Sequence, residues 1–284
     1  MFADLRWPNW VQTADPDLEV LTARPRDVDT ARLTPVVFVH GAFMGAWCWD
    51  AGFMDYFADR GFRAIAPSLR GHGNSEGFDR LDGASINDYV NDLTAVVDEL
   101  EGPPPILVGH SMGALVVQRY MERGGAASAS VLMAPVPPHG LMPSTMRMLI
   151  GDPMLYMQFG MMQLFGAGAV DTEVAQRAVF SEASAREDLT EYAERVQRES
   201  QRALWEMNVH ARGRPAMARG DVPVQVVAGD EDALFNAHET YTVADLWDAS
   251  WQSLPGLAHA MMIEPGWENA ARTIVEWLDG QGIR

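Results

Sequence analysis

Short apolar runs separated by longer amphipathic stretches set the rhythm of the first half of the chain. Residues 36–40 (VVFVH), 63–68 (RAIAPS), 105–111 (PILVGHS) and 129–135 (ASVLMAP) have the length and β-rich character of buried strands. A Trp-rich amphipathic stretch covers 47–58, and the patterns at 86–100 and 112–123 predict helices. The prolines at 103–105 stop the first of these, since proline cannot continue a helix. Alternation returns late, with strands at 222–229 and 250–254 and helices at 239–247 and 266–279. Strands alternating with helices of this length predict an α/β fold: a mostly parallel, doubly wound sheet covered on both faces.

Between the two halves the rhythm breaks. No strand pattern appears from 137 to 215, where helical patterns run over 142–150, 153–165, 172–181 and a long charged 185–207. An insertion of this length is too long for a plain loop. It predicts a helical cap at 137–215 over a core made of 1–136 and 216–284. The first half of the cap carries Met142, Met146, Met148, Met154, Met157, Met161 and Met162. Methionine is flexible and suits adaptable apolar surfaces, so these residues either pack the cap on the sheet or wall an apolar ligand. Met157 and Met161 are candidate substrate contacts.

Charge narrows the partners. The 21 basic residues, all arginine, face 39 acidic ones, for a net charge of −18. Such a surface repels nucleic acid and anionic membranes, and the lack of lysine removes Schiff-base and phosphate-loop lysine chemistry. The first residues, MFADLRWPNW, show neither the basic start nor the apolar run of a signal peptide. No stretch approaches the ~20 apolar residues that span a bilayer. A cytoplasmic protein without stable membrane association is expected, and a homodimer is compatible with the composition. The single cysteine, Cys48, lies between Trp47 and Trp49 and excludes an intrachain disulfide.

The chemistry centres on one serine. The pattern G-x-S-x-G occurs twice, at Gly109-His110-Ser111-Met112-Gly113 and at Gly73-Asn74-Ser75-Glu76-Gly77. Only Ser111 directly follows a predicted strand and directly opens a helix, as a nucleophile elbow requires. Ser75 sits in a polar loop. An elbow forces strained backbone angles, so side chains two positions away would collide and glycines are demanded.

A serine hydroxyl needs a base within hydrogen-bond reach. On such an elbow the acid and then the base follow the nucleophile along the chain. Of seven histidines, His259 alone lies in a loop between the last strand and last helix, at a strand's carboxyl end. The turn after 222–229 offers Asp230, Glu231 and Asp232 as the acid, with Asp232 preferred. Its role is to hold the imidazole tautomer, not to take the proton. The backbone N–H of Met112 and an N–H of the loop after the first strand, from Ala42 or alternatively Phe43, would form the oxyanion hole. His139 and Phe43 are further candidates for lining the pocket.

Taken in order, HGAFMGAWCW, RGHGNS, GHSMG, the Gly-x-x-Asp at 229–232 and HAMMIEPGW resemble the α/β-hydrolase superfamily over nearly the whole chain. The first block is similar to the methylesterase and hydroxynitrile-lyase branch. That resemblance implies the α/β-hydrolase fold, a triad of Ser111, Asp232 and His259, and an oxyanion hole from Ala42 and Met112. The plant lyases of that branch carry a lysine beside the catalytic histidine and a threonine where Gly41 stands; here Ala260 follows His259. Dehalogenases and epoxide hydrolases of the fold use an aspartate nucleophile. The expectation is therefore a carboxylesterase-like serine hydrolase acting on small to medium apolar esters, with no metal or organic cofactor. Thioesterase, lactonase, amidase and cofactor-free perhydrolase activity, or a receptor-like binding role, share the same motifs.

Overall fold

The central apolar runs become adjacent parallel strands because each turns alternate side chains toward two buried faces. In β3 (Val36–Val39), Val36 and Phe38 join one core while Val37 and Val39 join the other. In β5 (Ile106–His110), Ile106 and Val108 divide from Leu107 in the same way. This period of two, apolar on both sides, belongs to a strand covered by helices above and below.

The computed structural model of the chain describes residues 9–11, 16–26, 31–165, 179–184, 192, 194–209, 211–215, 218 and 221–283. Its strands form one sheet in the order β1-β2-β4-β3-β5-β6-β7-β8. The remaining members are β1 (Asn9–Val11), β2 (Leu18–Ala23), β4 (Ala64–Pro67), β6 (Ala129–Met133), β7 (Val224–Gly229) and β8 (Ser250–Leu254). β3 to β8 pair in parallel, whereas β1 and β2 join antiparallel at one edge. The sequence pattern did not predict these two strands. β1 has three residues, and β2 carries a buried polar residue, Glu19, that breaks the apolar signal. Trp10 lies in β1 at the sheet edge, while Trp7 falls outside the described residues.

Helices α2 (Ile86–Asp98) and α3 (Met112–Glu122) pack on one face; α1 (Phe53–Ala58) packs on the other. Between β6 and β7 the described residues form α4 (Met142–Gly151), α5 (Pro153–Phe165) and α6 (Gln201–Val209) and no strand. The predicted helix over 172–181 lies mostly outside the described residues. The predicted continuous helix over 185–207 is corrected: residues 196–200 are irregular and helix begins at Gln201. The Ser200 hydroxyl accepts the Ala203 N–H at 3.1 Å, an N-cap three residues ahead of its partner. After β7 come α7 (Ala237–Trp247), on the α2–α3 face, and α8 (Trp267–Gly280), beside α1. Among the described residues no helix is long and apolar enough to cross a membrane.

Candidate active site

β5 ends at His110 and α3 begins at Met112, leaving Ser111 alone in the turn at φ 51° and ψ −114°. A non-glycine residue there carries strain of order 1–3 kcal/mol and persists only if its surroundings hold it. The Ser111 N–H donates to the Met133 carbonyl of β6 at 2.9 Å, which anchors the turn to the sheet. The flanking glycines follow from close packing. A Cβ on Gly109 would lie 2.7 Å from Ala114, and one on Gly113 would enter the Val39 and His40 carbonyl oxygens. Met112 is the first residue of α3, so its N–H is among those with no intrahelical partner. The positive end of the helix dipole adds to it.

His259 sits in the loop between β8 and α8 and is buried. Its Nδ1 donates to Asp232 Oδ2 at 2.8 Å. The other carboxylate oxygen, Oδ1, accepts the Leu234 and Phe235 N–H groups at 2.8 and 2.9 Å. With Nδ1 committed as donor, Nε2 of the neutral ring is the acceptor, as a general base needs. The neighbouring acids face elsewhere: Asp230 Oδ1 accepts from the Gly256 N–H at 2.8 Å and Glu231 Oε2 from the Glu182 N–H at 3.1 Å.

His110 ties the serine turn to the His259 loop. Its Nε2 donates to the His259 carbonyl at 2.9 Å, and the two rings lie 4.8 Å apart. Burial first, and then the proximity of His259, push its pKa well below 6.5, so the ring is neutral. Phe235 also meets the His259 ring edge-on, with centroids 5.2 Å apart. A carboxylate that the sequence reading missed also holds this loop. Glu264 accepts the Ala258 N–H at 2.6 Å and the Ser181 N–H at 2.8 Å, while burial raises its pKa.

The loop after β3 lies against the turn: a Cβ on Gly41 would be 2.6 Å from His110 Nδ1 and 3.2 Å from Ser111 Cβ. Phe43, at φ 67°, donates its N–H to Glu199 Oε2 at 3.2 Å. That engagement occupies the Phe43 N–H, the alternative donor considered for the oxyanion hole, and keeps Ala42 as the candidate. Phe43 itself is buried, whereas His139 is exposed in the turn after β6, and Met157 and Met161 are exposed on α5. Ser75 is structural: its hydroxyl donates to the Ser68 carbonyl at 2.6 Å and accepts the Glu19 N–H at 2.9 Å.

A second buried network adjoins the loop. His72 faces acceptors on both sides, the Arg70 carbonyl at Nδ1 and Glu199 at Nε2, each at 3.0 Å. Both nitrogens therefore donate and the ring is an imidazolium. Burial opposes that charge, but Glu199 and the Arg70 carbonyl outweigh it and hold the pKa above 6.5. Burial likewise opposes ionisation of Glu199, but the charge and hydrogen bond of His72, with the hydrogen bonds of Tyr89 and Ser200, hold its pKa below 4.5. Neighbouring His40 has its pKa lowered to about 3 by burial and then by His72. It donates from Nδ1 to the Gly41 carbonyl at 2.8 Å and accepts the Leu69 N–H at Nε2, 3.0 Å away.

The pair stabilises the fold within a pH window. A raised histidine pKa gives stability that is full below 6.5 and lost as pH rises through the raised value. A depressed carboxyl pKa gives stability present above 4.5 and lost as pH falls through the depressed value. Glu199→Gln should remove this contribution, so the loss of urea-unfolding free energy relative to wild type should be largest between these limits and shrink beyond them. Parallel profiles for the two proteins from about pH 4 to 9 would contradict the ion pair.

The sequence profile of the alpha/beta hydrolase family matches residues 36–271. Over 108 residues the chain is 36% identical to a non-heme chloroperoxidase of Burkholderia pyrrocinia, covering 37% of this chain and 38% of that protein. It is 35% identical over 117 residues to a bifunctional esterase/perhydrolase of Acinetobacter calcoaceticus, covering 40% of this chain and 39% of that protein. These alignments therefore span about two-fifths of the relatives' own length. A thermophilic esterase from Thermogutta terrifontis superposes with a TM-score of 0.73 at 20% identity, over 96% of this chain and 98% of that one. With the profile spanning β3 to α8 and the serine turn inside it, the chain belongs to the alpha/beta hydrolase family.

Proposed function

We propose that the protein is a carboxylic-ester hydrolase working through an acyl-enzyme on Ser111. The Ser111 Oγ attacks the acyl carbon as its proton passes to His259 Nε2. The Ala42 and Met112 N–H groups hold the tetrahedral oxyanion. Collapse expels the alcohol, which takes the proton from His259. Water, deprotonated by the same nitrogen, then hydrolyses the ester bond to Ser111 and releases the acid. The observation that carries this reading is the chain of contacts from Asp232 through His259 to His110, which sets the base loop beside the strained serine turn.

The 137–215 insertion is proposed to cap the site, with substrates that are small to medium and apolar. The exposed methionines of α5, Met157 and Met161, support the apolar reading, and the net charge of −18 disfavours anionic substrates. A series of p-nitrophenyl esters of rising acyl length, run beside a thioester and an amide, tests it. Each methylene that enters an apolar pocket should raise kcat/KM about fourfold, the equivalent of about 0.8 kcal/mol. Preference for charged acyl groups, or for the thioester or amide, would count against the proposal.

Similarity to the esterase/perhydrolase and the chloroperoxidase favours one second reading. Hydrogen peroxide in place of water would attack the same acyl-enzyme, releasing a peracid and regenerating the serine. Peracid formation outpacing acid release in peroxide would favour perhydrolysis.

A further inference from the structure

The segment 197–199, within the 137–215 insertion, grips the loop that carries the proposed oxyanion donor. Gln197 N–H donates to the Phe43 carbonyl at 3.0 Å, and Phe43 N–H donates to Glu199 Oε2 at 3.2 Å. Both backbone polar groups of Phe43 are thus held from one short stretch. The Gln197 side chain clasps the adjoining loop, donating to the Gly71 carbonyl at 2.6 Å and accepting the Gly73 N–H at 2.8 Å. Phe43 has a left-handed φ of 67°, a conformation that costs a non-glycine residue of order 1–2 kcal/mol. Something outside the loop must hold it.

Glu199 is built to do so. Its Oε1 accepts the Tyr89 hydroxyl at 2.7 Å and the Ser200 N–H at 2.7 Å; its Oε2 accepts from His72 at 3.0 Å and from Phe43. A carboxylate has acceptor sites for all of these, whereas an amide offers one oxygen and two donors. Its charge is balanced by His72. The groups facing the pair are His40 after β3, the Arg70 carbonyl, and Tyr89 and Asp92 on α2. Asp92 is itself paired with Arg70 at 2.6 Å. A buried ion pair gains little stability over a well-packed apolar alternative, so its position one residue from Ala42 is the informative fact.

We infer that Glu199 is a positioning residue for the oxyanion hole: its bond to the Phe43 N–H fixes the peptide after Ala42, while His40, on the Gly41 carbonyl, fixes the peptide that carries the Ala42 N–H, and the backbone clamped between them sets the direction of that N–H. The inference rests on the serine-esterase reading above. It also makes this part of the insertion belong to the catalytic framework.

The test compares Glu199→Gln and Tyr89→Phe with wild type. For Glu199→Gln, kcat should fall about 10- to 100-fold, less than the 10²–10³-fold typical of losing a donor outright. Affinity for a trifluoromethyl ketone, which forms the tetrahedral adduct, should weaken by the same factor. Affinity for the product alcohol should stay within about twofold, because a neutral alcohol brings no charge to the oxyanion hole. Tyr89→Phe removes a single hydrogen bond to the same carboxylate. It should show a smaller loss of the same kind, and it carries the test if Glu199→Gln does not fold. Ester turnover and ketone affinity within about threefold of wild type in Tyr89→Phe and in any folded Glu199→Gln would overturn the inference, as would an equal loss of product-alcohol affinity. Wild-type protein without Ser111-dependent turnover would overturn the esterase reading and this inference together. Turnover that depends on Ser111 but ignores Glu199 and Tyr89 would overturn this inference alone.

Discussion

Ser111→Ala should lower ester turnover by about 10⁵- to 10⁶-fold while shifting the unfolding midpoint by no more than a few degrees. The hydroxyl is the proposed attacking atom, and no neighbouring side chain can replace it on the turn. What would remain is the acceleration due to oxyanion donors and binding alone, about 10³–10⁴ over water. The fold should tolerate the change, because the anchor of the turn is the backbone bond from Ser111 to Met133 and alanine retains it. Ser75→Ala supplies the contrast. It removes the buried bonds to Ser68 and Glu19, so it should cost about 1–3 kcal/mol of stability and leave chemistry in place. Initial rates on one activated ester, with thermal melts of each variant, decide the matter. An Ser111→Ala protein retaining a tenth of wild-type activity would end the nucleophile assignment.

That contrast shows how far the sequence could be read. Two serines share one five-residue pattern, and the strand before Ser111 and helix after it separated them without coordinates. The parallel strands were legible because each is a short apolar run with helices on either side. β1 and β2 were not: β1 has only three residues, and β2 buries Glu19 because Ser68 and Asn74 donate to it, and no local pattern announces distant donors. Glu199 and Glu264 escaped for the same reason. Each is defined by partners far away in the chain: Phe43, His72 and Tyr89 for one, and Ser181 for the other. Glu199 had one local clue. Ser200 followed by a helix-forming run is an N-cap signal, and it would have broken the predicted helix where the structure breaks it. The choice among Asp230, Glu231 and Asp232 depended on which carboxylate the loop turns inward, a matter of backbone geometry.

Asp232→Asn should reduce kcat by about 10⁴-fold with little change in fold, the size of effect produced when a triad histidine is held in the wrong tautomer. The geometry dictates the direction. Oδ1 of Asp232 already accepts two backbone N–H groups, from Leu234 and Phe235. In the asparagine variant only the carbonyl oxygen can occupy that place, so the amide NH₂ takes the position of Oδ2 and points at His259 Nδ1. A donor there forces Nδ1 to accept, and the ring proton moves to Nε2. The nitrogen that should receive the serine proton then carries one already. ¹⁵N shifts of the His259 ring should therefore report protonated Nδ1 in the wild type and protonated Nε2 in the variant. The loss of turnover should track that exchange. If the variant kept its activity within about tenfold, or lost it with the ring proton still on Nδ1, Asp232 would not be what orients the base.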